Sequence, residues 1–131
     1  MVAAKKNPYD NYANNKVFSA TKEELVLMLY EGGLKFSNQA IMAIEKEDLD
    51  KAGELIVRVQ NIIREFQVTL DRQYAISHEL YNMYDYLYRR LVQANIKKEI
   101  EIMHEVRDLI RQMRDTWKEA MIIAKNNGDI R

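Results

Sequence analysis

Cysteine is absent from this 131-residue chain, which excludes disulfides, thiolate metal sites and cysteine nucleophiles. Proline occurs once and glycine four times, so few sharp turns are enforced and long helices are expected. No apolar run approaches the roughly 18 residues that cross a bilayer. The opening stretch Met1–Tyr12 has no apolar signal core. These absences predict a cytosolic protein with no direct membrane insertion. Charge of one sign is also lacking: Lys+Arg and Asp+Glu are each 20, for a net charge of zero. A general nucleic-acid binder needs a basic excess, so no nucleic-acid partner is expected.

Groups for catalysis are equally scarce. The two histidines are His78 and His104. Glu101 to His104 spells one E-x-x-H, whereas a dimetal bundle needs two such motifs and two further inward carboxylates. On the helical register below, Glu101 and His104 both fall on the outer side. Gly32-Gly33 lies inside a helical pattern and lacks the spacing of a phosphate loop. No catalytic, metal or cofactor-binding residue is expected, and the chain does not read as an enzyme.

What is present is helical periodicity. Thr21-Lys-Glu-Glu24 fits a capping box and starts a first helix over about 22–45. Its apolar stripe runs Leu25, Leu29, Gly32, Phe36, Ala40, Ala43, widened by Val26, Tyr30, Ile41 and Ile44. The mid-helix pair Gly32-Gly33 serves either close helix packing or the approach of another chain's backbone. Asp48 is positioned to cap a second helix over about 49–70. There Leu49, Ala52, Ile56, Val59, Ile63, Phe66 and Leu70 repeat in steps of 3 and 4. Leu55 and Ile62 broaden that seam at g positions, as in a bundle rather than a two-stranded coil. Ser77 is the expected cap of a third helix. A tight connection at 95–98 leads to a fourth, about 99–126, in which Met103, Val106, Ile110, Met113, Trp117, Ala120 and Ala124 keep the same steps. Ile102 and Leu109 are its g-position flank, and Asn126-Asn127-Gly128 its stop. The expected fold is all-α: an antiparallel up-down-up-down four-helix bundle over 21–128, preceded by a short N-terminal capping segment, 1–20.

The densest feature is Tyr81 to Asn95, with four of the eight tyrosines in eight residues and then Arg89-Arg90. Leu80, Tyr84, Leu87, Leu91 and Ala94 form the inward seam. Tyr81 and Tyr88 fall on its flank, Tyr86 faces out, and Asp85 and Arg89 stand i,i+4 for an ion pair. Tyrosine combines an apolar body with a polar tip, which suits a surface buried only when a partner binds. Core aromatics with hydroxyls reaching water are the alternative. Arg90 joins the patch because Arg and Tyr are typical binding anchors. In the first twenty residues Tyr9 and Tyr12 stand three apart among Asn and Asp, so a single helical turn would put both on one side.

An ordered set of motifs then resembles one family. Asn7-Pro8-Tyr9 with Tyr12, Ser19 to Leu25, Met28 to Gly32, Asn61-Ile62-Ile63 with Leu70, Met83 to Leu91, Ala94-Asn95-Ile96 and Trp117 are similar to the FliS family, the flagellin-specific export chaperones of bacterial flagella. The likeness spans about residues 7–120; the family usually carries Pro where Lys22 stands. It implies a cytosolic bundle that binds the disordered C-terminal segment of flagellin, prevents premature polymerisation and delivers it to the export-gate membrane protein of the flagellar type III apparatus. It implies no cofactor. Client-binding residues on this reading are Leu55, Ile62, Tyr81, Tyr84, Tyr88, Arg90, Ile102 and Leu109. Tyr9 and Tyr12 would form a lid over part of the client site and take part in gate docking. A weak homodimer without client is a further expectation, and a generic helical adaptor with a different client is the competing one.

Overall fold

Thr21 starts the first helix as its sequence predicts. Its Oγ1 accepts from the Glu24 amide at 3.1 Å, and its own amide donates to Glu24 Oε1 at 2.9 Å. The computed structural model describes residues 19–127. Within them lie α1 (Lys22–Glu45), α2 (Leu49–Thr69), α3 (Ser77–Lys97) and α4 (Ile100–Asn126), with no strand among the described residues. Each helix packs on its neighbours in a closed ring, α1 on α2 and α4, and α3 on α2 and α4. Contacting pairs run in opposite directions: Gly33 faces Ile110 while Trp117 reaches Glu23, and Gly53 faces Asn95 while Phe66 meets Tyr84. The bundle is antiparallel. Tyr9, Tyr12 and the rest of the N-terminal segment up to residue 18 lie outside the described residues.

Asp48 caps α2 by accepting from the Lys51 amide at 3.4 Å. Two tight turns join α1 to α2 and α3 to α4. Each uses a left-handed residue, Glu47 (φ 59°) or Lys98 (φ 54°). In each, the following amide closes back on an alanine carbonyl, Asp48 to Ala43 at 2.9 Å and Glu99 to Ala94 at 3.0 Å. This is the Schellman closure built without glycine. Ser77 does not cap α3. Ile76 stands at that position with no side-chain bond, and the buried Ser77 hydroxyl turns to the Arg72 carbonyl at 3.4 Å.

The a and d positions of α2 and α3 are buried through their middles, from Ala52 to Phe66 and from Tyr84 to Ala94. Leu49 is 49% exposed because it sits past the last facing turn. In α1 the core face is centred on Tyr30, Gly33, Leu34, Ser37, Ala40 and Ile41, rotated from the expected stripe. Leu25 is left 37% exposed and Phe36 only half-buried. The expected stripe included Tyr30, Ala40, Ile41 and Ala43 but missed Gly33, Leu34 and Ser37, because a glycine and a serine at the centre of the face carry no apolar signal. Either central glycine has room for a methyl: a Cβ on Gly33 would meet Ile110 at 3.5 Å, and one on Gly32 would meet Ile62 at 3.5 Å, ordinary contact distances.

Core burial in α4 ends at Ile110. Trp117 is half-buried and donates from Nε1 to the Glu23 carbonyl at 3.0 Å, at the very start of α1. Past it the helix outruns its neighbours: Ala120 is exposed, and Ile122 and Ile123 are 58% and 53% exposed.

Candidate functional site

The tyrosine stretch of α3 divides three ways. Tyr84 points into the core, 3% exposed, with its ring stacked on Phe66 at 5.1 Å. Phe66 also stacks on Tyr30 at 4.4 Å, and the two tyrosine hydroxyls meet at 2.8 Å across the bundle. Burial raises both phenols above their ordinary range; for Tyr84 the neighbouring Tyr30 adds to the rise, while for Tyr30 the bond from Tyr84 offsets part of it. The hydroxyls therefore satisfy each other rather than reach water.

Tyr81 and Tyr88 stay on the flank, half-buried, facing α2. Each is roofed by an arginine. The Arg64 guanidinium lies 3.6 Å from the Tyr88 ring centre, and that of Arg72 lies 4.6 Å from the ring of Tyr81. Arg64 also donates to Gln67 Oε1 at 2.7 Å, and the buried Gln67 donates to the Tyr81 carbonyl at 3.5 Å. Tyr86 and Arg90 turn instead to α4. The Tyr86 hydroxyl donates to Glu105 Oε2 at 2.6 Å and Arg90 Nε to Glu105 Oε1 at 2.8 Å. These two bonds hold the Glu105 carboxyl below its usual range. Asp85 and Arg89 form the expected ion pair at 3.3 Å.

The remaining expected residues lie deeper. Leu55 and Ile102 are 6% and 7% exposed, closed inside the bundle as it stands. A ring of four helices needs an apolar face wider than a and d, and these g positions supply it. Ile62 and Leu109 are half-buried at the edge of the core, Ile62 against the two glycines. Of the eight residues, the structure brings Tyr81 and Tyr88 together on the α2–α3 face, sets Arg90 on the α3–α4 face, and buries Tyr84 centrally.

Several surface features were not anticipated. On the α2–α3 face Leu49 and Val57 are 49% and 43% exposed, and on the outer side of α3 Val92 and Ile96 are 38% and 74% exposed. Gly53, Asn95 and Lys98 line a hollow with Leu49 and Val57. Asn95 Oδ1 is buried there without a partner. Gly53 inside a strong helix pattern was the available signal. Arg64 and Arg72 carried none, because their placement depends on how two helices align.

Among the described residues no three His, Cys, Asp or Glu groups gather as a metal site, and no helix is long and apolar enough to cross a membrane. The bundle leaves exposed aliphatic side chains and half-buried tyrosines along its α2–α3 side. The chain matches the family described as flagellar protein FliS over residues 5–124, and it belongs to that family. It is 47% identical over 115 residues to the flagellar secretion chaperone FliS of Bacillus subtilis, covering 88% of this chain and 86% of that one. It is 31% identical to the Escherichia coli protein of the same name, over 81% of this chain and 80% of that one. The family is one of flagellar secretion chaperones, not of enzymes.

Proposed function

We propose that this chain binds the C-terminal segment of newly made flagellin in the cytosol, keeps it from polymerising early, and presents it to the export-gate membrane protein of the flagellar type III apparatus. The observation that carries the reading is the α2–α3 face, where exposed aliphatic residues continue into the half-buried Tyr81 and Tyr88, in a chain of the secretion-chaperone family. Such a face suits an amphipathic or extended segment that orders as it binds. Tyr81 and Tyr88 would make first contact, while Ile62, on the α1 side of α2, and Leu109 of α4 would serve a further stretch of client. Arg90 would anchor a second stretch of client on α3–α4. Leu55, Tyr84 and Ile102 would support these surfaces from beneath. Tyr9 and Tyr12 would cover part of the site until client arrives and afterwards help dock the complex at the gate.

Calorimetric titration with a flagellin C-terminal peptide at several temperatures tests this. Coupled folding and burial give a strongly negative heat-capacity change. A peptide that binds with none, or not at all, removes the flagellin assignment. Removing residues 1–17 should leave peptide affinity unchanged or tighter, since a lid competes for the site; a large loss would make the segment part of the binding surface.

A further inference from the structure

Eight arginines fall among the described residues, and five of them pair with carboxylates: Arg89, Arg90, Arg107, Arg111 and Arg114. The other three are Arg58, Arg64 and Arg72, and each lies over an aromatic ring instead, that of Phe36, Tyr88 or Tyr81. All three belong to α2 or the loop after it, and all three are exposed. The carboxylate next to Arg72 in sequence, Asp71, is already occupied by the amide and side chain of Gln73. A guanidinium seated on a ring in water is held weakly, whereas one that gains a carboxylate in two-pronged geometry is held more strongly. Ring seating thus keeps Arg64 and Arg72 extended over the groove without a carboxylate partner, Arg64 spending one N–H on the neutral Gln67 and Arg72 none.

The α2–α3 groove therefore has two unlike halves. Toward the α3–α4 turn it is open and aliphatic, rimmed by Asp50 and Glu54 and by Arg58 and Lys98, with the orphan acceptor Asn95 Oδ1. Toward the α2–α3 loop it is aromatic and roofed by Arg64 and Arg72. We propose that this groove selects an acidic amphipathic segment, whose aliphatic side seats on the open half while carboxylates at its other end draw Arg64 and Arg72 off Tyr88 and Tyr81. The polarity favours one direction, because at the opposite end Asp50 and Glu54 offset Arg58 and Lys98, whereas Arg64 and Arg72 have no carboxylate partner. Lifting the arginines also uncovers the two rings, so apolar contact area appears only where the charge matches. This deepens the chaperone reading by naming the chemistry of its client, and it rests on that reading for the client's identity.

The full-length protein is titrated with an amphipathic peptide about 20 residues long, the length of α2 as a helix. The peptide carries leucines on one side and glutamates toward one end, and a counterpart carries glutamine in their place. The glutamate peptide should bind about ten-fold tighter, with the difference shrinking in high salt. The double variant Arg64→Gln, Arg72→Gln should erase the difference, and Arg64→Lys, Arg72→Lys should restore only part of it, because lysine cannot present the planar fork. In the unmodified protein the Arg64 Nε–H resonance should shift on adding the glutamate peptide and stay in place with the glutamine one. Equal binding of the two peptides, a difference that survives in the glutamine variant, or a silent Arg64 resonance each overturns the proposal. A flagellin C-terminal fragment forms a separate arm. If it binds both the unmodified protein and the glutamine variant equally, the groove assignment falls and the flagellin reading stands. If it fails where the glutamate peptide succeeds, the flagellin reading falls and the groove assignment stands. If neither binds, both fall.

Discussion

The two ends of the bundle are built on opposite principles. At one end the chain reverses twice within two or three residues, and both reversals close on alanine carbonyls. Ala40, Ala43, Ala52 and Ala94 fill that end, none more than 5% exposed, so the helices meet through methyl groups. At the other end a longer loop joins α2 to α3, the cap of α3 has no side-chain bond, and α4 runs past its neighbours. Its interior is aromatic: Tyr30, Phe66, Tyr84 and, nearer the rim, Trp117. Small residues fix spacing and leave little to rearrange. Large rings with polar tips hold helices further apart and leave edges that a partner can use. The arginine-roofed tyrosines belong to this second, looser end.

Phe66→Ala should break that contrast most sharply. Phe66 is 4% exposed and stacks on both core tyrosines, so its loss should cost about 3–5 kcal/mol in denaturant unfolding. The matching test at the tight end is Ala94→Leu, where overpacking a fully buried site should cost about 1–3 kcal/mol. If the leucine is accepted without loss, the alanine end is not close-packed and the comparison fails.

The Tyr30–Tyr84 pair comes next. Tyr30→Phe alone strands the Tyr84 hydroxyl in the core and should cost about 1–3 kcal/mol, whereas the double change to phenylalanine should be close to neutral. The pair also carries a pH signature. Unfolded phenols ionise near their ordinary value of 10.0, while burial holds both above it in the bundle. Unfolding then releases protons above that pH, so stability falls as pH rises past 10.0 and is unaffected below it. The doubly substituted protein should show a flatter alkaline limb in a series of melts.

How far the sequence foretold this follows from which signals are local. The capping box at Thr21, the Asp48 cap and the 3,4 repeats of α2 and α3 are read from neighbours in the chain, and the helix bounds came out accordingly. Ser77 failed as a cap because its hydroxyl found the Arg72 carbonyl, a contact set by the path of the loop. The α4 repeat continues through Ala120 and Ala124, but periodicity cannot say where the neighbouring helices stop. The site was half legible. Flank tyrosines could be placed by register, while their arginine covers needed the alignment of α2 against α3.

A smaller effect should come from Gly33→Ala. The site is buried, yet a Cβ there meets Ile110 at 3.5 Å, which is contact without clash. Alanine favours a helix interior by about 1 kcal/mol over glycine, so the variant should melt higher. A loss of stability would mean that α1 and α4 approach more closely than these distances, extending tight packing into the middle of the bundle.

The smallest effect should belong to the α4 tail. Trp117 marks where the bundle stops, since its Nε1 reaches the first turn of α1 and nothing of α1 lies beyond. Ile122 and Ile123 follow, both more than half exposed. Exposed positions away from caps and buried contacts usually change stability by under about 0.5 kcal/mol. The double change Ile122→Ser, Ile123→Ser should therefore leave the unfolding midpoint in place and reduce light scattering, because it removes apolar surface from a free end. A marked drop in the midpoint would show that this tail is covered in solution. The looser end would then be looser only in its loop, and the contrast between the two ends would narrow to the α2–α3 side.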